Sequence, residues 1–153
     1  KVQDRRRIVR ALEVFQLSGK AASRIQREAR ETNPFRTQQF SLTLERSQLY
    51  DKVDARTEEM VIQGLVGEYT SLIERGYSPQ ANAMQGLGYR HSGMYVQGLW
   101  TLEEMKSQLK QDTRRYAKRQ LSWFRGMEGM TWLDNSQPQA TVTRILASVA
   151  GKI

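Results

Sequence analysis

The chain has 153 residues, of which 39% are hydrophobic and 26% charged, and it carries a formal net charge of +8. That balance suits a globular fold rather than a disordered one and favours a polyanion or an anionic membrane surface as partner. Zero cysteines exclude a disulfide framework and thiolate chemistry, and a single histidine, His91, excludes the usual multi-histidine metal sites.

No apolar run approaches the roughly 20 residues that span a bilayer, and no signal peptide opens the chain. Lys1 stands where a Met would, and a helix begins almost at once, so the chain reads as cut from something longer. Asp4 is placed to cap a helix through RRRIVRALEVFQLSG, with Ile8, Leu12 and Phe15 on one face and Gly19 as its stop. Arg5, Arg6, Arg7 and Arg10 crowd its start, where cations oppose the helix dipole and call for a compensating anion. Ser18-Gly19-Lys20 is not a phosphate loop, because Val14 occupies the position that must be glycine. Ala21 to Arg30 reads as a short helix, and Glu31 to Thr37, with Pro34, as a linker.

QQFSLTLE alternates Phe40, Leu42 and Leu44 with polar residues, the pattern of a half-buried strand. From Arg46 the period becomes helical, with Leu49, Val53, Met60 and Val61, then Leu65, Tyr69, Leu72 and Ile73, up to Gly76. Residues 45–76 hold seven acids and four bases, so the positive charge is segregated elsewhere. Arg56 falls near the buried stripe, where an ion pair with Asp51, Asp54 or Glu59 is the plain structural reading.

Met84 to Arg90 form a loop with Gly86 and Gly88, which permit positive φ, ahead of a helix from Tyr89 to Gln97. A plain turn and an anion or base site are equal readings of it. Thr101 and Glu104 make a capping box for a long helix from Leu102 to about Arg125. Around its axis Arg114, Arg115, Lys118, Arg119 and Arg125 gather on one side, while Leu102, Met105, Leu109, Tyr116 and Trp123 gather on the other. No carboxylate lies between Thr113 and Arg125, so the cations lack acid partners of their own and invite phosphate; a solvated basic face is the competing reading. Met130 to Leu133 reads as a short strand and Ala140 to Val149 as a closing amphipathic helix with Val142, Ile145, Leu146 and Val149.

RRRIVRALEVFQLSGK, LYDKVDARTEEMVIQGLVGE, AMQGLGYR, DTRRYAKRQLSWFRG and TWLD, in that order, resemble the second half of the bacterial tRNA dimethylallyltransferases, also called tRNA isopentenyltransferases. The resemblance implies transfer of a dimethylallyl group from dimethylallyl diphosphate to N6 of the adenine just 3′ of the anticodon. It further implies Mg²⁺, a phosphate-loop nucleotide-binding core and a helical domain inserted into it. The expected fold is therefore mostly α with a few strands, with residues 1–36 ending the helical insertion and 37–153 forming the C-terminal part of the α/β core.

The family's phosphate loop and catalytic aspartate have no counterpart in the chain, so no catalytic residue and no metal ligand is assigned here, and Mg²⁺ is expected mainly on the missing half. Arg56 resembles the arginine that meets the donor diphosphate. The family's tRNA contacts match Arg6, Arg7, Ile8, Val9 and Arg10, then Gln85, Gly86, Leu87, Gly88, Tyr89 and Arg90. A third set is Lys118, Arg119, Gln120, Leu121, Ser122, Trp123, Phe124 and Arg125. His91 stands where relatives often carry Lys or Arg. The implied partners are a tRNA anticodon stem-loop and dimethylallyl diphosphate, in a cytoplasmic, monomeric protein without a membrane. A non-catalytic RNA-binding module using the same basic helices is the alternative, and a helical interaction domain facing an acidic protein or membrane surface is a third.

Overall fold

The computed structural model describes residues 4–31 and 37–151, and these fall into two compact units that divide at Thr37 and Gln38. The first unit holds α1 (Arg5–Ser18) and α2 (Ala22–Glu31). Asp4 caps α1 by accepting from the Arg7 amide, and Gly19, with φ 66°, ends it by donating to the Phe15 carbonyl at 2.8 Å. The carboxylate of Glu28 on α2 takes Lys20 and Arg24, each at 2.9 Å, and both cations hold its pKa below the ordinary value, Lys20 most. Ile8, Leu12 and Phe15, which the sequence places on one face of α1, are exposed. Most of the linker expected between Glu31 and Thr37 lies outside the described residues, and Glu31 itself closes α2.

The second unit is mostly helical around a small sheet. Its elements are β1 (Gln39–Thr43), α3 (Arg46–Ile62), α4 (Leu65–Glu74), a single 3-10 turn (Asn82–Gln85), α5 (Tyr89–Val96), α6 (Leu102–Arg125), β2 (Met130–Asp134) and α7 (Pro138–Val149). β1 and β2 pair in parallel with Gln39 opposite Met130 and Thr43 opposite Asp134. Parallel pairing demands a long crossover, here supplied by α3 to α6. The helical run after Arg46 is two helices, because Gly64 takes φ 102° and turns the chain between Ile62 and Leu65. The expected capping box is present: Thr101 accepts from the Glu104 amide while Glu104 accepts from Thr101.

The core is built where α3 meets α6 and where α5 meets both α4 and α6. Leu65, Tyr69, Met84, Met105, Leu109 and Leu133 are its buried apolar residues, with Thr57, His91 and Ser92 among them. At the α4–α5 contact a glycine is required: a Cβ on Gly93 would stand 2.8 Å from the Tyr69 hydroxyl. Burial departs from the sequence pattern in three places. In β1 it is Ser41 that is buried, while Phe40 is half-buried and Leu42 is 50% exposed, so the apolar face expected from the alternation is not the covered one. In α6 burial stops after Leu109, leaving Tyr116 and Trp123 exposed on the supposed inner face. In α7 the buried residue is Thr141, which donates to the Asp134 carbonyl at 2.8 Å, and Val142, Leu146 and Val149 face outward.

Candidate nucleic-acid interface

The cations of α6 divide into two groups by what they touch. Arg114 forks onto Asp54 of α3, through Nε at 3.1 Å and through Nη2, and its guanidinium lies 5.1 Å from the centre of the Tyr50 ring. Lys106 and Lys110 share Glu58 of α3, and the two ammonium groups, Lys110 foremost, hold that carboxyl below its ordinary pKa. These three cations bind α6 to α3, and the expectation that Arg114 faces an anionic ligand is corrected: its partner is a carboxylate sixty residues upstream in sequence, which no inspection of the helix alone reveals. Lys118, Arg119 and Arg125, by contrast, have no carboxylate partner among the described residues.

Eight consecutive residues wind more than twice around a helix, so 118–125 cannot share one face. Lys118, Leu121, Ser122 and Arg125 line a cavity of about 390 Å³ with Arg46, Leu49 and Tyr50 of α3. Gln120, Leu121 and Phe124 instead line an apolar cavity of about 340 Å³ against Phe40, Leu42 and Leu44. Arg119 turns to a third cavity of about 350 Å³, where it meets Gln85, Leu87 and Arg90 of the glycine loop together with Asp112 and Arg115. Trp123 is 64% exposed and meets Phe124 edge-on, with ring centres 5.0 Å apart.

The glycine loop is rigidly held. Gln85 donates to the Pro79 carbonyl at 2.7 Å, Tyr89 donates to Glu68 at 2.6 Å, and Arg90 pairs with Asp112. The Glu68 contact raises the Tyr89 pKa, so its hydroxyl stays a donor. Of the two glycines only Gly88 uses positive φ, at 96°, and a side chain there would also press on Leu65 at 3.3 Å; Gly86, at φ −66°, is ordinary backbone. His91 is fully buried beneath the loop, with Nε2 3.3 Å from Asp112 Oδ2, without the alignment of a hydrogen bond. Burial, and after it the neighbouring Arg90, push its pKa down, so it is a neutral wall residue rather than a surface cation.

Arg56 differs from its sequence reading. It is exposed on α3, one position before the buried Thr57, and forms none of the expected ion pairs with Asp51, Asp54 or Glu59; Asp54 is held by Arg114 instead. In the first unit Arg5, Arg6, Val9 and Arg10 line an open surface cavity of about 470 Å³ with Glu13, which pairs with Arg10 at 3.2 Å; Arg7 pairs with Asp4 at the same distance. Ile8 is 43% exposed on the same helix. Sequence reasoning missed Asp112, Arg46 and Tyr50 as site residues. The first signal for Asp112 was its place as the only acid at the head of the cationic stretch.

Among the described residues no three His, Asp or Glu side chains converge to hold a metal, and no helix is long and apolar enough to cross a membrane. Residues 1–127 match the family model described as IPP transferase. The chain is 44% identical over 128 residues to the tRNA dimethylallyltransferase of Pelotomaculum thermopropionicum, covering 84% of this chain and 41% of that protein. It is 42% identical over 149 residues to the tRNA dimethylallyltransferase of Desulforudis audaxviator, covering 95% of this chain and 48% of that one. The fold is similar to the crystal structure of the full-length tRNA isopentenylpyrophosphate transferase from Bacillus halodurans, with TM-score 0.72 and 35% identity over 97% of this chain and 45% of that one. It is also similar to the tRNA delta(2)-isopentenylpyrophosphate transferase from Staphylococcus epidermidis, with TM-score 0.73 and 28% identity, covering 97% and 49% of the two chains. The chain thus spans less than half the length of each of these relatives.

Proposed function

Since the chain belongs to the IPP transferase family, we propose that it supplies the tRNA-binding surface and part of the donor-binding surface of a tRNA dimethylallyltransferase. In the proposed reaction N6 of the adenine 3′-adjacent to the anticodon attacks C1 of the dimethylallyl group. The C–O bond to diphosphate breaks, the electron pair leaves with diphosphate, and N6 gives up a proton. Residues 1–36 end a helical insertion, and 37–153 form the C-terminal part of the phosphate-loop core, whose parallel sheet β1 and β2 extend.

The observation that carries this reading is the sorting of the cations. Arg114, Lys106 and Lys110 are spent on carboxylates of α3, whereas Arg6, Arg56, Lys118, Arg119 and Arg125 have no acid partner among the described residues. A guanidinium free of protein partners keeps its planar fork for phosphate oxygens, which suits Arg56 to the charge that develops on departing diphosphate. Mg²⁺ belongs to the proposed chemistry through the family, but the described residues offer it no converging ligands.

The test uses the purified chain with an anticodon stem-loop RNA, and then with tRNA, dimethylallyl diphosphate and Mg²⁺. We expect weak binding that falls as salt rises, and no modified adenine by mass spectrometry. An affinity indifferent to salt would overturn the RNA surface. Turnover above a heat-killed control would place the catalytic groups within these residues.

A further inference from the structure

One acidic side chain sits in the basic surface where the glycine loop meets α6. Asp112 accepts Arg90 Nη2 on Oδ2 and Arg115 Nη1, at 3.2 Å, on Oδ1, so one carboxylate joins a cation at the start of α5 to one on α6. All three line the cavity of about 350 Å³ that Arg119 also enters. The fully buried His91 lies behind the carboxylate, with Nε2 3.3 Å from Oδ2, and only 24% of the Asp112 side chain is exposed. A guanidinium has five N–H donors, and Asp112 uses one from each arginine. Their remaining donors stay available on the two sides of one carboxylate.

We infer that Asp112 is a positioning residue for RNA, holding Arg90 and Arg115 together so that both guanidinium groups meet the same stretch of phosphate backbone. This rests on the RNA-binding reading above. By charge alone an acid here repels phosphate, so removing it should tighten binding. If Asp112 acts through the arginines, removing it weakens binding, because two long side chains must then be ordered by the RNA itself. The two accounts differ in sign.

The experiment measures the affinity of the 153-residue chain for an anticodon stem-loop across a salt series, alongside thermal unfolding. Asp112→Asn is expected to weaken binding by about threefold to tenfold although it makes the chain more positive, and Asp112→Glu to restore most of the loss. Arg90→Lys keeps the charge but gives up the fork, and is expected to lose about threefold or more. Equal or tighter binding by Asp112→Asn overturns the inference. So does a loss that tracks the melting temperature and that Asp112→Glu does not restore. Should Asp112→Asn fail to fold, Arg90→Lys decides: unchanged affinity overturns the inference. If the unchanged chain binds no RNA, the RNA reading itself falls and this inference with it, whereas salt-dependent binding with a tighter Asp112→Asn removes the inference alone.

Discussion

Arg114 and Lys118 stand one helical turn apart, and they should fail differently when the charge is removed. Arg114→Gln leaves Asp54 unpaired and removes one of the two guanidinium groups over the Tyr50 ring, for a cost of about 1 kcal/mol in a half-exposed pair, or about 2–4 °C in melting temperature for a chain of this size. Lys118→Gln should leave the melting temperature unchanged and lower the salt slope of RNA binding by about one unit or less. The reverse pattern would show the sorting of cations to be wrong. Arg56 belongs to neither group. In a catalytically complete protein Arg56→Gln should raise the donor KM and lower kcat/KM by roughly 2–4 kcal/mol with tRNA affinity intact, and steady-state kinetics against binding separates the two. His91 gives a pH signature. Its folded pKa lies below the ordinary 6.5 because burial and Arg90 oppose the charge, so the unfolded chain binds the proton first. Stability is therefore full above about pH 6.5 and falls as the pH drops below it. The carboxylates of Glu28, Glu58 and Glu104, held below 4.5, add losses only at more acid pH. Urea midpoints from pH 7.5 to 5.5 should show a decline that His91→Gln removes.

At the scale of elements, packing tolerates little at the α4–α5 crossing. Gly93→Ala pushes a methyl into the Tyr69 hydroxyl, and we expect a loss of about 1–3 kcal/mol in chemical denaturation; a neutral result would mean that the helices can part without cost. The crossing was legible in the sequence only as periodicity. Local signals did well: the Asp4 cap, the Gly19 stop and the Thr101–Glu104 box each depend on residues a few positions apart, and each forms. What escaped depends on which face finds a cover. The alternation of Phe40, Leu42 and Leu44 gives a strand but not its buried side, and Tyr116 and Trp123 continue the α6 stripe beyond Leu109, its last buried residue. The pairs Arg114–Asp54 and Lys110–Glu58 escaped for the same reason, since each joins residues more than fifty positions apart. The site was legible as charge and loop, while its division among three cavities required the turn of α6 against α3 and the glycine loop.

For the molecule as a whole, Val142, Leu146 and Val149 form an outward apolar row on α7, at 51%, 63% and 66% exposure. In dilute buffer the chain should associate as its concentration rises, and Leu146→Glu should suppress this; sedimentation that stays monomeric at all concentrations would refute it. The parallel pairing of β1 with β2 carries a consequence for the order of folding. Gln39 and Met130 stand far apart in sequence, so the ladder closes a long loop and gains nothing until that loop is closed. The contacts among α3, α4, α5 and α6 are all shorter in sequence and need no such wait. The strands should therefore join last and open first, with the amides of β1 exchanging with solvent deuterium well ahead of those in the buried turn at His91 and Ser92.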